Sequence, residues 1–322
     1  AELPAQTRLS PQNVELALTR CLESSVTDAE LARFSARTPK SERSHVLLSA
    51  NVFTAALRAI ATGLVASPRV FVRASRREPK MAGFLAEAAP ASFTLTDELR
   101  PAAGDQVFAY ASDATLESLR RTFAPGTILH AHGSGFGAAA VDSRTLAPHD
   151  EVELAQALSY DVALFDQRGC LSPRVVWLQG DIDSAHGFTR AVARALAERD
   201  RDLPPGELDP EERADRERWR AALTYAGHVE PAGSGFVAVL DEPPLELPEL
   251  GARSLLVLAC ADAAAAARPH AAKITTHAVS GSAEFSAKFS RILPKSRASA
   301  WGQVQRPPLD GPVDLRSLPE LD

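Results

Sequence analysis

A cysteine behind a glycine, in a turn that follows an apolar run, is well placed to offer its thiol to a cleft. The segment Phe165-Asp166-Gln167-Arg168-Gly169-Cys170-Leu171-Ser172-Pro173 has that form. The thiolate is the nucleophilic form of cysteine, and a nearby guanidinium such as Arg168, or backbone N–H groups at a following turn, would favour it. A buried, inert thiol is the alternative; Cys21, on an amphipathic helix, and Cys260, ending an apolar strand, read that way. Asn51 lies in Ser49-Ala50-Asn51-Val52-Phe53, between a strand and a helix. Its amide can donate to an oxyanion, and it can equally cap the helix. Arg73, Ser75, Arg76 and Arg77 close a second strand, at the edge where open α/β sheets bind nucleotides. Ser75 and an arginine there suit a ribose and its 2′-phosphate; a solvated basic loop is the alternative. Gly133-Ser134-Gly135-Phe136-Gly137-Ala138 follows a third strand and satisfies a loose GxGxxA pattern. Such a match is weak, and a plain tight turn competes with it. His130 and His132 alternate on one strand without a cysteine or carboxylate at ligand spacing, so no metal is expected; one of them is a candidate proton donor to a leaving thiolate. No GxSxG element supports a serine hydrolase.

These residues need a scaffold, and the apolar pattern supplies one. Helices are expected over Pro11–Cys21 and Thr27–Ser35, with Ser10 and Thr27 as N-caps. His45–Ser49 reads as a strand, Val52–Ala66 as a helix and Arg69–Arg73 as a strand, one βαβ unit with parallel strands. A helix over Lys80–Ala89, strands over Gln106–Ala111 and Thr127–Ala131, and the helix Thr115–Phe123 between them complete a doubly wound nucleotide-binding pattern. Beyond the glycine-rich turn the expected elements are a helix over Val152–Leu158, a strand or tight approach over Asp161–Phe165 and a strand over Val175–Gln179. Helices over His186–Glu198 and from Asp209 to Thr224 follow, then strands over Phe236–Leu240 and Ser254–Leu258, and a proline-rich coil after Arg306.

A chain of 322 residues with 45% hydrophobic and 24% charged residues exceeds one domain of usual size, which makes two α/β domains the natural reading. A net charge of −6 argues against nucleic acid or an anionic membrane as partner. The three cysteines, odd in number and widely spaced, do not suggest a disulfide framework and point to a reducing cytoplasm. Leu47–Ala66 is long enough for a membrane span, but Asn51, Thr54, Arg58 and Thr62 interrupt it; it reads as a buried helix. Ala1–Arg20 shows no signal-peptide pattern.

The order Asn51, Ser75, Gly133-Ser134, Cys170 resembles the aldehyde dehydrogenase superfamily. The segments LSANVF, SRREP, DQRGCLSP and WGQVQRPPLDGPVDLR (Trp301–Arg316) are similar to one branch of it, the acyl-CoA reductases that supply fatty aldehyde in bacterial bioluminescence. The resemblance implies a Rossmann-like cofactor domain (1–140), a catalytic domain carrying Cys170 (141–285) and a C-terminal segment (286–322) packing back on the cofactor domain, with the active site in the cleft between domains. It implies that Cys170 attacks an acyl thioester, carried by CoA or a protein, with Asn51 as oxyanion donor. It implies contacts to NADPH, with NADH as the alternative, from Ser49, Ala50, Arg73, Ser75, Arg76, Gly133, Ser134 and Gly135. The superfamily pattern has Lys where Arg73 stands. Aldehyde-oxidising relatives carry a Glu-Leu-Gly-Gly-Lys segment before the cysteine, and Gly137–Asp161 contains none, so an acyl-enzyme should await hydride rather than water. An acyl-phosphate reductase and an inactive nucleotide-binding homologue are the alternatives; oligomerisation is open.

Overall fold

The computed structural model describes residues 2–317. It divides into two compact units: residues 2–8, 14–134 and 308–317, and residues 9–13 and 135–307. The catalytic segment expected to begin at 141 thus belongs to a unit that begins at Gly135, and the segment after 286 divides at Pro308.

The first unit is built on five parallel strands: β1 (Arg43–Leu47), β2 (Arg69–Arg73), β3 (Thr94–Leu95), β4 (Gln106–Tyr110) and β5 (Ile128–His132), in the order β3-β2-β1-β4-β5. His45–Leu47 and Gln106–Ala109 are buried on both faces, as near-continuous apolar strands at the centre of a parallel sheet should be. The order reverses between β1 and β4, which makes their carboxyl edge the topological switch point. The helix after β1 spans Ala55–Ala66. The apolar stretch from Leu47 is therefore not one helix: Leu47 ends β1, residues 48–54 turn, and Ala56, Ala59, Ile60 and Gly63 then bury the helix against the sheet.

The second unit holds β6 (Phe136–Asp142), β7 (Pro173–Gln179), β8 (His228–Ala232), β9 (Gly235–Leu240), β10 (Leu255–Cys260), β11 (Ile274–Ser280) and β12 (Arg297–Ala298), in the order β12-β11-β6-β7-β10-β9-β8. Every pair is parallel except β8 with β9. Alternate residues serve two cores. Ala138, Val175, Trp177, Phe236 and Leu256 face the helices Ala263–Ala267 and Ala283–Arg291. Ala139, Val176, Leu178, Val237 and Val257 face Pro148–Ala163 and Ile182–Asp202. Full burial of such side chains stabilises by about 1.5–3 kcal/mol each, which is why this sheet is the rigid frame of its unit.

Two readings of the sequence are corrected. Asp161–Phe165 is not a strand: Pro148–Ala163 is one helix running into a turn at Leu164–Gln167. The glycine-rich stretch does not continue to Gly137 as a turn, because Phe136–Asp142 is a strand buried on both faces. The alanines of FGAAAVD hid it, since alanine favours helices in isolation and tertiary packing overrode that preference. Among the described residues no helix is long and apolar enough to cross a membrane.

Candidate active site

Cys170 lies three residues before β7, at the amino edge of the second unit's sheet, and is exposed. The chain reaches it through Phe165, Asp166 and Gln167, three successive non-glycine residues at φ of 56°, 50° and 62°. Each left-handed residue costs on the order of 1 kcal/mol or more, so such a run persists only where its surroundings enforce it. Asn13 is one clamp: its Oδ1 accepts from the Phe165 N–H (3.1 Å) and its Nδ2 donates to the Ala163 carbonyl (2.9 Å). The Asp166 carboxylate accepts from Arg253 Nε (3.0 Å) and Nη2 (2.6 Å) and from the Gly206 N–H (2.9 Å). Arg253 is itself fully buried. Gln167 donates to the Pro173 and Ser254 carbonyls and accepts from the Ser254 N–H. The buried side chains of Asp166 and Gln167 and the Phe165 N–H are thus each given partners, as burial requires.

The turn is also held from the sheet. The Thr275 hydroxyl hydrogen-bonds the Cys170 carbonyl (2.6 Å) and lies 3.0 Å from that of Phe136. The Gly137 N–H donates to the Ser172 carbonyl (2.8 Å). A Cβ at Gly137 would stand 2.1 Å from the Leu171 carbonyl oxygen, so only glycine lets the cysteine loop cross β6. Register slips by one residue on both sides of Gly137, leaving Arg174 as the extra residue on β7 and Thr275 as the extra residue on β11. The Arg168 guanidinium is bound to Glu212 and to the Glu207 carbonyl. The other thiols differ from Cys170. Burial pushes the Cys260 thiol up to about 12, and Cys21, just beyond its helix, is half-buried.

The other candidates sit at the carboxyl edge of the first unit's sheet. Ser49, Ala50 and Asn51 follow β1; Ser75, Arg76 and Arg77 follow β2, which Arg73 ends. Asn51 is not the helix cap, since that position belongs to Thr54. It is exposed, and its Oδ1 accepts from Arg77 (3.1 Å). The Ser49 and Ser75 hydroxyls accept from the backbone N–H groups of Asn51 and Arg77, which folds each loop into a tight turn. Gly133 and Ser134 close β5 over the helix Asp113–Thr122: the Ser134 N–H donates to Asp113 (2.8 Å), and a Cβ at Gly133 would lie 2.3 Å from that same carboxylate oxygen. Arg316 donates to the Ser134 carbonyl (2.8 Å) and is paired with Asp314. Gly135 opens the second unit and is followed by β6, not by a helix, so the GxGxxA match is no phosphate-binding fingerprint. His130 and His132 stack on Phe108 and Tyr110. Burial lowers both imidazoles, His132 to about 4, which leaves His132 without the proton that a donor to a leaving thiolate would need.

Asn13, Thr275, Arg253 and Gly137 escaped the reading of the sequence. Gly137 alone left a signal there, a glycine inside what proves to be a strand. Arg316 lay within the quoted C-terminal segment but without a role.

A doubly wound parallel sheet in one unit and a braced cysteine turn in the other define a protein of the aldehyde dehydrogenase fold, and solved structures agree. The NAD-dependent benzaldehyde dehydrogenase of Corynebacterium glutamicum superposes with a TM-score of 0.68 at 13% identity, over 92% of this chain and 75% of the other. Lactaldehyde dehydrogenase of Escherichia coli gives 0.62 at 15%, over 83% and 63%. The gamma-glutamyl-gamma-aminobutyraldehyde dehydrogenase of Burkholderia cenocepacia J2315 gives 0.62 at 15%, over 81% and 60%. The chain thus covers somewhat under two thirds of the length of the last two. No curated protein matches the chain. The acyl-CoA reductase (LuxC) family model matches residues 13–275, and the chain belongs to that oxidoreductase family.

Proposed function

We propose that the protein reduces an acyl thioester to an aldehyde through an acyl-enzyme at Cys170. The observation that carries this reading is the exposed thiol at the end of a buried turn braced by Asn13, Arg253 and Ser254, in a member of the acyl-CoA reductase family. The Cys170 sulfur attacks the thioester carbonyl carbon; the carbon–sulfur bond to the carrier breaks, and the carrier thiolate leaves and takes a proton. The Cys170 backbone N–H and the Asn51 amide are the donors assigned to the oxyanion, and Asn51 keeps its amide N–H2 for that task because its oxygen is engaged by Arg77. Bound at the residues below, NADPH would supply the hydride that the acyl-enzyme at Cys170 needs to leave as aldehyde and free the thiol. The residues fit such a cofactor: Ser49, Ala50, Arg73, Ser75 and Arg76 lie at the switch-point edge, Arg76 is exposed, and the Gly133-Ser134 turn leaves no room for a side chain at Gly133. Arg76 would recognise the 2′-phosphate that separates NADPH from NADH. An acyl-phosphate reductase would want a basic pocket beside Cys170, where only Arg168 and Arg174 are near in sequence, and the Arg168 guanidinium is engaged by Glu212.

The test is intact mass after mixing with a panel of acyl-CoAs, with and without NADPH. An acyl adduct on Cys170 should form without cofactor, persist in buffer and discharge as aldehyde when NADPH is added. Rapid loss of the adduct in buffer would reveal a water-activating base; no adduct at any chain length would favour an inactive homologue.

A further inference from the structure

Arg174 stands beside the nucleophile without an assigned task. It is the extra residue of the β7 bulge, four positions after Cys170. Bulges are rare in parallel sheets and serve next to active sites to re-aim a side chain. The matching bulge across Gly137 has an evident purpose, because Thr275 uses it to hold the Cys170 carbonyl. The Arg174 Nε is sealed from solvent, and the guanidinium makes no hydrogen bond or ion pair among the described residues. The residue as a whole is half-buried, so the cost falls on the sealed Nε–H, which has no acceptor. Burial works against its charge, and the fields of two groups favour it: the exposed Glu249 carboxylate and the Cys170 sulfur. The remaining charges of the cysteine turn are paired elsewhere, Asp166 with Arg253 and Arg168 with Glu212.

We propose that Arg174 is the charge partner that keeps the Cys170 sulfur anionic, the bulge on β7 being the device that turns its guanidinium toward the thiol. This rests on the reading of Cys170 as nucleophile. It gives Arg174 the part that proximity in sequence suggested for Arg168. The two bulges flanking Gly137 then divide the labour: Thr275 holds the backbone of the nucleophile, and Arg174 holds its charge.

The experiment is the pH profile of Cys170 alkylation by iodoacetamide, followed by peptide mass spectrometry at low ionic strength. Cys260 serves as the fold reporter, since it stays unlabelled while the second unit is intact. In Arg174→Gln the profile should move to higher pH by about one unit, with roughly tenfold slower labelling near neutrality. Arg174→Lys should recover most of the loss. A wild-type profile in Arg174→Gln, with Cys260 still protected, overturns the proposal. If Arg174→Gln exposes Cys260, Glu249→Gln decides: removing the competing carboxylate should move the profile to lower pH by a few tenths of a unit, and an unmoved profile overturns the assignment. Failure of the wild type to reduce any acyl-CoA would sink the reductase reading alone, because the alkylation profile needs no substrate.

Discussion

The loops after β1 and β2 carry Asn51, Arg76 and Arg77 exposed to solvent, and their side-chain hydrogen bonds at Ser49, Asn51 and Ser75 are to near neighbours or to each other. The turn before Cys170 buries three successive left-handed residues and is held by Asn13, Arg253, Ser254 and Thr275. The contrast suits the tasks proposed for the two regions. A loop that admits and releases a cofactor gains from few constraints, because local opening then costs little. A nucleophile must meet a carbonyl within a few tenths of an ångström, which demands a turn whose alternatives have been removed. Changes in the turn should therefore cost stability and thiol reactivity together, and changes in the loops should cost affinity alone.

The largest effect expected is from Cys170→Ala. It should abolish the acyl adduct and lower NADPH oxidation by about a thousandfold or more while leaving the melting temperature in place, since an exposed side chain contributes little packing. Retained reduction in that variant would move the chemistry elsewhere. Arg253→Met should destabilise by about 3–5 kcal/mol, because it removes the buried guanidinium that binds both Asp166 and Asp200. Urea unfolding measures this, and a change below about 1 kcal/mol would mean that the turn is not braced as described. Gly137→Ala forces the Leu171 carbonyl off β6 and should cost about 1–3 kcal/mol, together with slower alkylation of Cys170. If stability falls while alkylation is unchanged, the two are not coupled through this crossing.

On the side of the loops, Arg76→Ala should weaken NADPH binding by about tenfold, leave NADH binding alone and spare the melting temperature. Equal affinities for the two cofactors in the wild type would remove Arg76 from 2′-phosphate recognition. A pH-dependent effect concerns Asp161, whose carboxylate accepts from the Gly302 and Val304 N–H groups yet is pushed up to about 7 because burial outweighs those donors. Its folded-state pKa lies above the unfolded value near 4, so its stabilising contribution is complete below pH 4 and is lost as pH rises toward 7. Asp161→Asn should therefore gain stability relative to the wild type across that window. Parallel curves from pH 4 to 8 would show that the ionised carboxylate is tolerated there.

Local pattern alone determined most elements of this protein. Alternation and apolar runs placed β2 at Arg69–Arg73 and β4 from Gln106, and capping chemistry placed the helix after Thr27, because those signals act between residues a few positions apart. The cysteine, the asparagine and the Gly-Ser turn were legible by type and order, since their motifs are contiguous. Only the tertiary structure decided that FGAAAVD is a central strand, that Arg168 turns away to Glu212, and that Asn13, Arg253 and Thr275 hold the Cys170 turn. Asn13 lies 152 residues from Phe165, Arg253 lies 87 from Asp166 and Thr275 lies 105 from Cys170. A pairing across such distances is written in no local pattern. It exists because a buried carboxylate or N–H must find a partner, and the fold determines which side chain is within reach.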